Sequence, residues 1–169
     1  MSYREAKPEE ISANPFQMIG SQWMLVTAEK EGKVNTMTAS WGGVGVLWGK
    51  KVAFVFLRPQ RYTKTFVDAG DRFTLSFYGE EQRKTLTYLG RVSGRDEDKI
   101  KESGLTVKDF GGAPAFEEAE LVFTCKKLYA QELDPACFMQ GTDCDEKWYP
   151  NKDYHTMYVA EIEQVFEKE

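Results

Sequence analysis

The chain has 169 residues, with 22 Lys and Arg against 27 Asp and Glu, for a formal charge of −5. At 41% hydrophobic and 29% charged residues it can collapse around a core, which excludes disorder. The acidic balance argues against a general nucleic-acid binder, which needs a concentrated cationic face. A chain this long buries about 68–70% of its surface in one core without staples, so a single domain over 1–169 is expected.

The first thirteen residues carry Arg4, Glu5, Lys7, Glu9 and Glu10 and offer no apolar centre for a leader. Nor does any run approach the ~20 apolar residues of a membrane span. Three cysteines without CxxC spacing fit a reducing compartment, so a cytoplasmic protein with neither membrane nor nucleic-acid partner is expected. Short apolar runs at 23–28, 34–40, 51–57, 71–78, 120–128 and 155–162 predict strands. Residues 29–33 form a polar turn of hairpin length between the first two. The run at 52–57 is apolar throughout, as expected where both faces are buried or where a second subunit covers the outside. The strand at 72–78 alternates Phe73, Leu75 and Phe77 with Thr74, Ser76 and Tyr78, which predicts a core on one side only. Helices are predicted over 80–89, stopped by Gly90, and over 96–103, stopped by Gly104. Many strands, few helices and no βαβ alternation favour a β-barrel or sandwich.

Three segments can carry chemistry. In 58–65, Arg58, Arg61 and Lys64 stand with Tyr62, Thr63 and Thr65 and no acid until Asp68. If Thr63 caps a helix there, backbone N–H groups, hydroxyls and guanidinium forks converge on one anion, and a phosphate monoester suits such a site. A solvated turn paired with surface carboxylates explains the same residues. In 35–41, small polar and apolar residues alternate up to Trp41, then Gly42 and Gly43, a pattern that admits a flat heteroaromatic ring or simply a half-buried strand. In 90–99, Ser93, Gly94, Arg95 and Lys99 precede a short helix. The only histidine, His155, lacks partners for a catalytic triad. Cys125, Cys137, Cys144 and His155 match no compact metal spacing, so buried free thiols are expected. Gly43, Gly45 and Trp48 fail the dinucleotide fingerprint, because its third glycine is a tryptophan.

Asn35-Thr36-Met37-Thr38-Ala39-Ser40-Trp41, Arg58-Pro59-Gln60-Arg61-Tyr62-Thr63, Ser93-Gly94-Arg95-Asp96-Glu97-Asp98-Lys99 and His155-Thr156-Met157-Tyr158-Val159-Ala160-Glu161-Ile162 follow one another in an order that resembles the flavin reductase-like FMN-binding split-barrel family, especially its flavoredoxin branch. The resemblance runs from about Met18 to Val165. It implies a mainly β fold, a six-stranded antiparallel Greek-key split barrel with a few short helices, and a homodimer holding FMN near its interface. It implies that Asn35, Met37, Thr38, Ser40 and Trp41 line the flavin ring, that Arg58, Arg61, Tyr62 and Thr63 hold the phosphate and ribityl chain, and that Lys99 and His155 approach the ring or its tail. The activity implied is that of an NAD(P)H-dependent flavin reductase, with NADH or NADPH as donor and a small molecule or protein as electron acceptor. Two alternatives are a flavoredoxin-type electron carrier without NAD(P)H turnover and a non-catalytic barrel binding another phosphate ligand. Residues 134–154, where many relatives have a short turn, are expected to form a lid or interface insert, with Trp148 as a candidate cap.

Overall fold

The computed structural model describes residues 2–169. Among these residues ten strands form one eight-stranded antiparallel sheet and a two-stranded ribbon. In chain order they are β1 (Tyr3–Ala6), β2 (Met24–Lys30), β3 (Lys33–Ala39), β4 (Gly42–Leu47), β5 (Lys50–Leu57), β6 (Arg72–Phe77), β7 (Val107–Asp109), β8 (Pro114–Phe116), β9 (Leu121–Glu132) and β10 (Thr156–Lys168). Helix α1 (Tyr62–Ala69) follows β5, α2 (Arg83–Arg91) and α3 (Lys99–Ser103) follow β6, and α4 (Cys144–Trp148) precedes β10. None of the described helices is long and apolar enough to cross a membrane.

Two tight hairpins set the register. Glu31 and Gly32 join β2 to β3 with φ of 52° and 75°, and Trp48 and Gly49 join β4 to β5 with φ of 52° and 70°. Two consecutive left-handed residues give the type I′ turn, whose twist matches that of the strands. The large sheet runs β3-β2-β6-β9-β10-β5-β4. Its two outermost strands, β3 and β4, are consecutive in the chain and separated only by Ser40 and Trp41. The sheet must therefore curl until its ends meet at that corner, which makes a barrel split along an unpaired seam. The long β10 carries two strands end to end on one edge, β5 along Thr156 to Glu161 and β1 along Val165 to Lys168.

All six expected strands are present, joined by β1, β4, β7 and β8. The glycines of β4, Gly42, Gly43 and Gly45, depress strand propensity and hid it, while β1 reads as a charged terminus. One face of the sheet buries Met24, Val26, Val55, Phe73, Leu75, Phe123 and Tyr158 inside the barrel. The other buries Leu25, Tyr78, Leu86, Leu89, Phe116 and Val122 beneath α2 and β8. β6 is thus covered on both sides rather than one, with Thr74 donating to the Pro114 carbonyl and Ser76 bonded to the Tyr78 hydroxyl. A half-polar strand tolerates this burial because its hydroxyls find partners.

The helices also depart from expectation. Helix α1 begins after Arg61, and Thr63 does not cap it: its hydroxyl is buried and accepts from Asn35 Nδ2 at 2.9 Å. Gly90 lies inside α2, which ends only after Arg91. Gly104, at φ 74°, does terminate α3. Of the thiols, Cys125 is buried, whereas Cys137 and Cys144 are exposed, contrary to the expectation for all three. They lie on the long excursion between β9 and β10, whose neck is closed by the Leu133 N–H donating to the His155 carbonyl.

Candidate functional site

Strand register builds a cleft at the seam. Leu57 pairs with Thr156, so the next residues outward, Arg58 and His155, face each other at the barrel mouth. Gly42 pairs with Val55, which sets Trp41 beside Phe56. From the other side come Met37, Thr38 and Ala39 at the end of β3. Thr38 donates to the Leu86 carbonyl of α2 at 2.5 Å, and an added Cβ on Gly90 would sit 3.2 Å from Thr38 Cβ. Gly90 is thus the residue that lets the helix lie against the strand. These elements enclose about 360 Å³ lined by Met37, Thr38, Ser40, Trp41, Arg58, Arg61, His155 and their neighbours Phe56, Gly90 and Trp148. That volume falls within the roughly 300–1,000 Å³ of small-molecule sites. A further depression shares Thr38, Ala39, Ser40 and Gly90 and continues the cleft towards Arg91.

One end is cationic. Arg61 lies largely buried and donates to the Gly90 carbonyl at 2.9 Å, with burial holding its pKa below the usual value. Lys99, 3% exposed, donates to the Leu89 and Val92 carbonyls, both at 2.9 Å. Burial, and secondarily Arg61, bring its pKa down to about 8. Neither cation has a carboxylate partner among the described residues. Two charges held against the carbonyl end of α2 leave a net positive corner that an anion completes.

The other end is aromatic. Trp41 meets His155 with ring centroids 5.1 Å apart and Trp148 edge-on at 5.0 Å. The His155 Nδ1 lies 2.8 Å from the Tyr149 hydroxyl. Burial, with Arg58 adding to it and Asp153 opposing, lowers the imidazole pKa to about 4, so the ring is neutral at pH 7.

Seven of the eleven sequence-derived residues meet in this cleft: Met37, Thr38, Ser40, Trp41, Arg58, Arg61 and His155. Asn35, Tyr62 and Lys99 line a neighbouring depression beyond Arg61, and Thr63 is sealed behind Asn35. Arg58 has another engagement, donating to Asp153 Oδ2 at 2.6 Å and to the Trp148 carbonyl at 2.8 Å. Sequence reading missed Phe56, Ala39 and Gly90 as lining residues. The alternation of β5 marks Phe56, but nothing local marks Gly90.

Fold and cleft together define a class: a small antiparallel barrel, split at one seam, with a ligand cleft there that is cationic at one end and aromatic at the other. The family model for the flavin reductase like domain matches residues 16–169, and the chain belongs to that family. No curated protein matches the chain. Among solved structures it is similar to flavoredoxin from Methanosarcina acetivorans, with a TM-score of 0.69 and 22% identity over 88% of this chain and 69% of that one. It is similar to an FMN-binding domain of a flavin reductases-like enzyme from Shewanella baltica OS155, with a TM-score of 0.71 and 16% identity over 98% and 77%. The styrene monooxygenase flavin reductase from Pseudomonas putida S12 follows, with a TM-score of 0.65 and 19% identity over 88% and 80%.

Proposed function

We propose that this protein binds FMN in the seam cleft and works as a flavin-dependent oxidoreductase of the flavin reductase type, drawing on NADH or NADPH. The observation that carries the reading is the pairing of the largely buried, uncompensated Arg61 with an aromatic shelf along one continuous cleft. A ligand with a phosphate at one end and a flat ring system at the other satisfies both ends, and the family to which the chain belongs supports FMN as that ligand. FMN supplies a ring that accepts a hydride and hands electrons on. Arg61, backed by Lys99, holds the phosphate. Thr38 and Ser40 offer hydroxyls and backbone groups to the ring edge, while Met37, Phe56 and Trp41 exclude water from its faces. Asn35 and Thr63 act indirectly by fixing α1 against β3, and so placing Arg61. Arg58 anchors residues 134–154 as a lid over the mouth, through Asp153 and the Trp148 carbonyl.

The test uses charge selectively. Replacing Arg61 by Ala removes a charge-assisted bond worth about 1.5–3 kcal/mol, so FMN affinity falls by one to two orders of magnitude while riboflavin affinity barely changes. Equal losses for both ligands would remove Arg61 from the phosphate site, and a protein that stays colourless after FMN is added and the excess removed would refute the whole reading.

A second reading, an electron carrier with little NAD(P)H turnover, draws support from Trp148. Packed edge-on against Trp41, it narrows the space a nicotinamide would need. Negligible steady-state oxidation of both NADH and NADPH by the FMN-loaded protein would favour the carrier.

The outer face of β5, β10 and β9 supports a homodimer. Phe54, Val159 and Tyr129 stand in one row across the three strands on the face turned away from the barrel interior, with Val159 buried, Phe54 half-buried and Tyr129 exposed. Phe56 extends that face to the rim of the cleft.

A further inference from the structure

We propose that Tyr149, on the excursion between β9 and β10, is a positioning residue that locks His155 as the Nε2–H tautomer and so presents one fixed hydrogen-bond donor to the ligand in the cleft. The inference rests on the FMN reading only for the identity of that ligand.

The Tyr149 hydroxyl and His155 Nδ1 lie 2.8 Å apart, and both residues are buried. Between a phenol and a neutral imidazole, one proton sits between the two heavy atoms. Desolvation raises the Tyr149 pKa, so its oxygen keeps the proton. Among the described residues Nδ1 is the only hydrogen-bond partner of that hydroxyl, so the phenol's proton points to Nδ1. With Nδ1 an acceptor, the ring proton must reside on Nε2.

Nε2 faces the cleft. Among the described residues it has no hydrogen-bond partner, yet the only sealed side-chain atom without one is Asp153 Oδ1. Nε2 is therefore in contact with open space, and the open space His155 lines is the cleft. The groups facing the imidazole are Arg58 from the end of β5, Asp153 and Tyr149 from the excursion, and the uncharged ring of Trp41. Arg58 and Asp153 pair with each other, so Tyr149 alone bonds to the ring. A neutral, single-tautomer donor beside an aromatic shelf favours a ligand that places an electron-rich oxygen or nitrogen at that point.

Because His155 is the chain's only histidine, selective ¹⁵N-histidine labelling yields one pair of ring nitrogens. In the wild-type protein at pH 7 the protonated nitrogen should be the one coupled to both ring C–H protons, Nε2. In Tyr149→Phe the Nδ1 resonance should shift as its donor is lost, the titration midpoint should rise towards that of free histidine, and FMN affinity should fall about 2- to 10-fold. A proton on Nδ1 in the wild type, or a Phe variant whose Nδ1 resonance and midpoint both match wild type, overturns the lock. Adding FMN to the wild type should move the Nε2–H resonance. If the visible spectrum reports bound FMN and that resonance stays still, the donor role is overturned. If no FMN binds, the flavin reading falls while the tautomer result stands.

Discussion

His155 illustrates how a single side chain ties stability to pH. Burial first, and Arg58 second, lower its pKa from 6.5 to about 4. Between those values the unfolded chain binds more protons than the folded one, so the stabilisation is complete above pH 6.5 and is lost as pH falls to 4. At about 1.4 kcal/mol per pH unit, the whole effect is roughly 3 kcal/mol. Urea unfolding at stepped pH should show the wild-type midpoint dropping across this window and His155→Asn staying nearly flat. Parallel profiles for the two proteins would mean that the imidazole is solvated in the native state. No other histidine complicates the window. The sequence marked His155 as worth weighing but could not reveal its neutral state, because that depends on its burial in the fold and on Arg58, 97 residues away in the chain. Thr63 teaches the opposite lesson. Its local pattern reads as a helix cap, and a contact with Asn35, 28 residues away, overrides it.

At the level of elements, the excursion over 134–154 is held by few but specific contacts. Asp153 Oδ2 accepts from Arg58 at 2.6 Å and from Gln60 at 2.8 Å, which together keep its pKa below the usual carboxylate range. Its Oδ1 is sealed without a partner, so the latch rests on one carboxylate oxygen. Replacing Asp153 by Asn should speed hydrogen exchange over 134–154 several-fold while leaving β5, β9 and β10 at wild-type protection, since local opening draws on local contacts. Uniform loss of protection would instead make the pair part of the global fold. The long strands were legible because apolar runs follow strand periodicity, and the ordered motifs mark the cleft. β4 was not legible, because Gly42, Gly43 and Gly45 remove the side chains on which periodicity depends. Gly42 is needed there: at φ 155° a Cβ would lie 2.5 Å from the Phe54 carbonyl oxygen.

For the whole molecule, the proposed homodimer is tested on the outer face of β5, β10 and β9. Trp48 is 60% exposed and its ring lies 6.2 Å from that of Tyr129, itself 40% exposed, at the border of the row formed by Phe54 and Val159. Large exposed aromatics beside a continuous apolar strip are the pattern of interface anchors. The substitution Trp48→Glu tests this without straining the turn, because the equivalent position of the β2–β3 hairpin is already a glutamate, Glu31, at the same φ of 52°. Sedimentation should find the wild type dimeric at micromolar concentration. Loss of a Trp anchor should weaken the dimer about 30-fold, corresponding to about 2 kcal/mol. A monomeric wild type would refute the dimer. Since Phe56 belongs both to this face and to the cleft rim, the dissociated variant should also bind FMN more weakly, although Trp48 itself does not line the cleft. Undiminished FMN affinity in the monomer would separate the two surfaces and make the cleft complete within one chain.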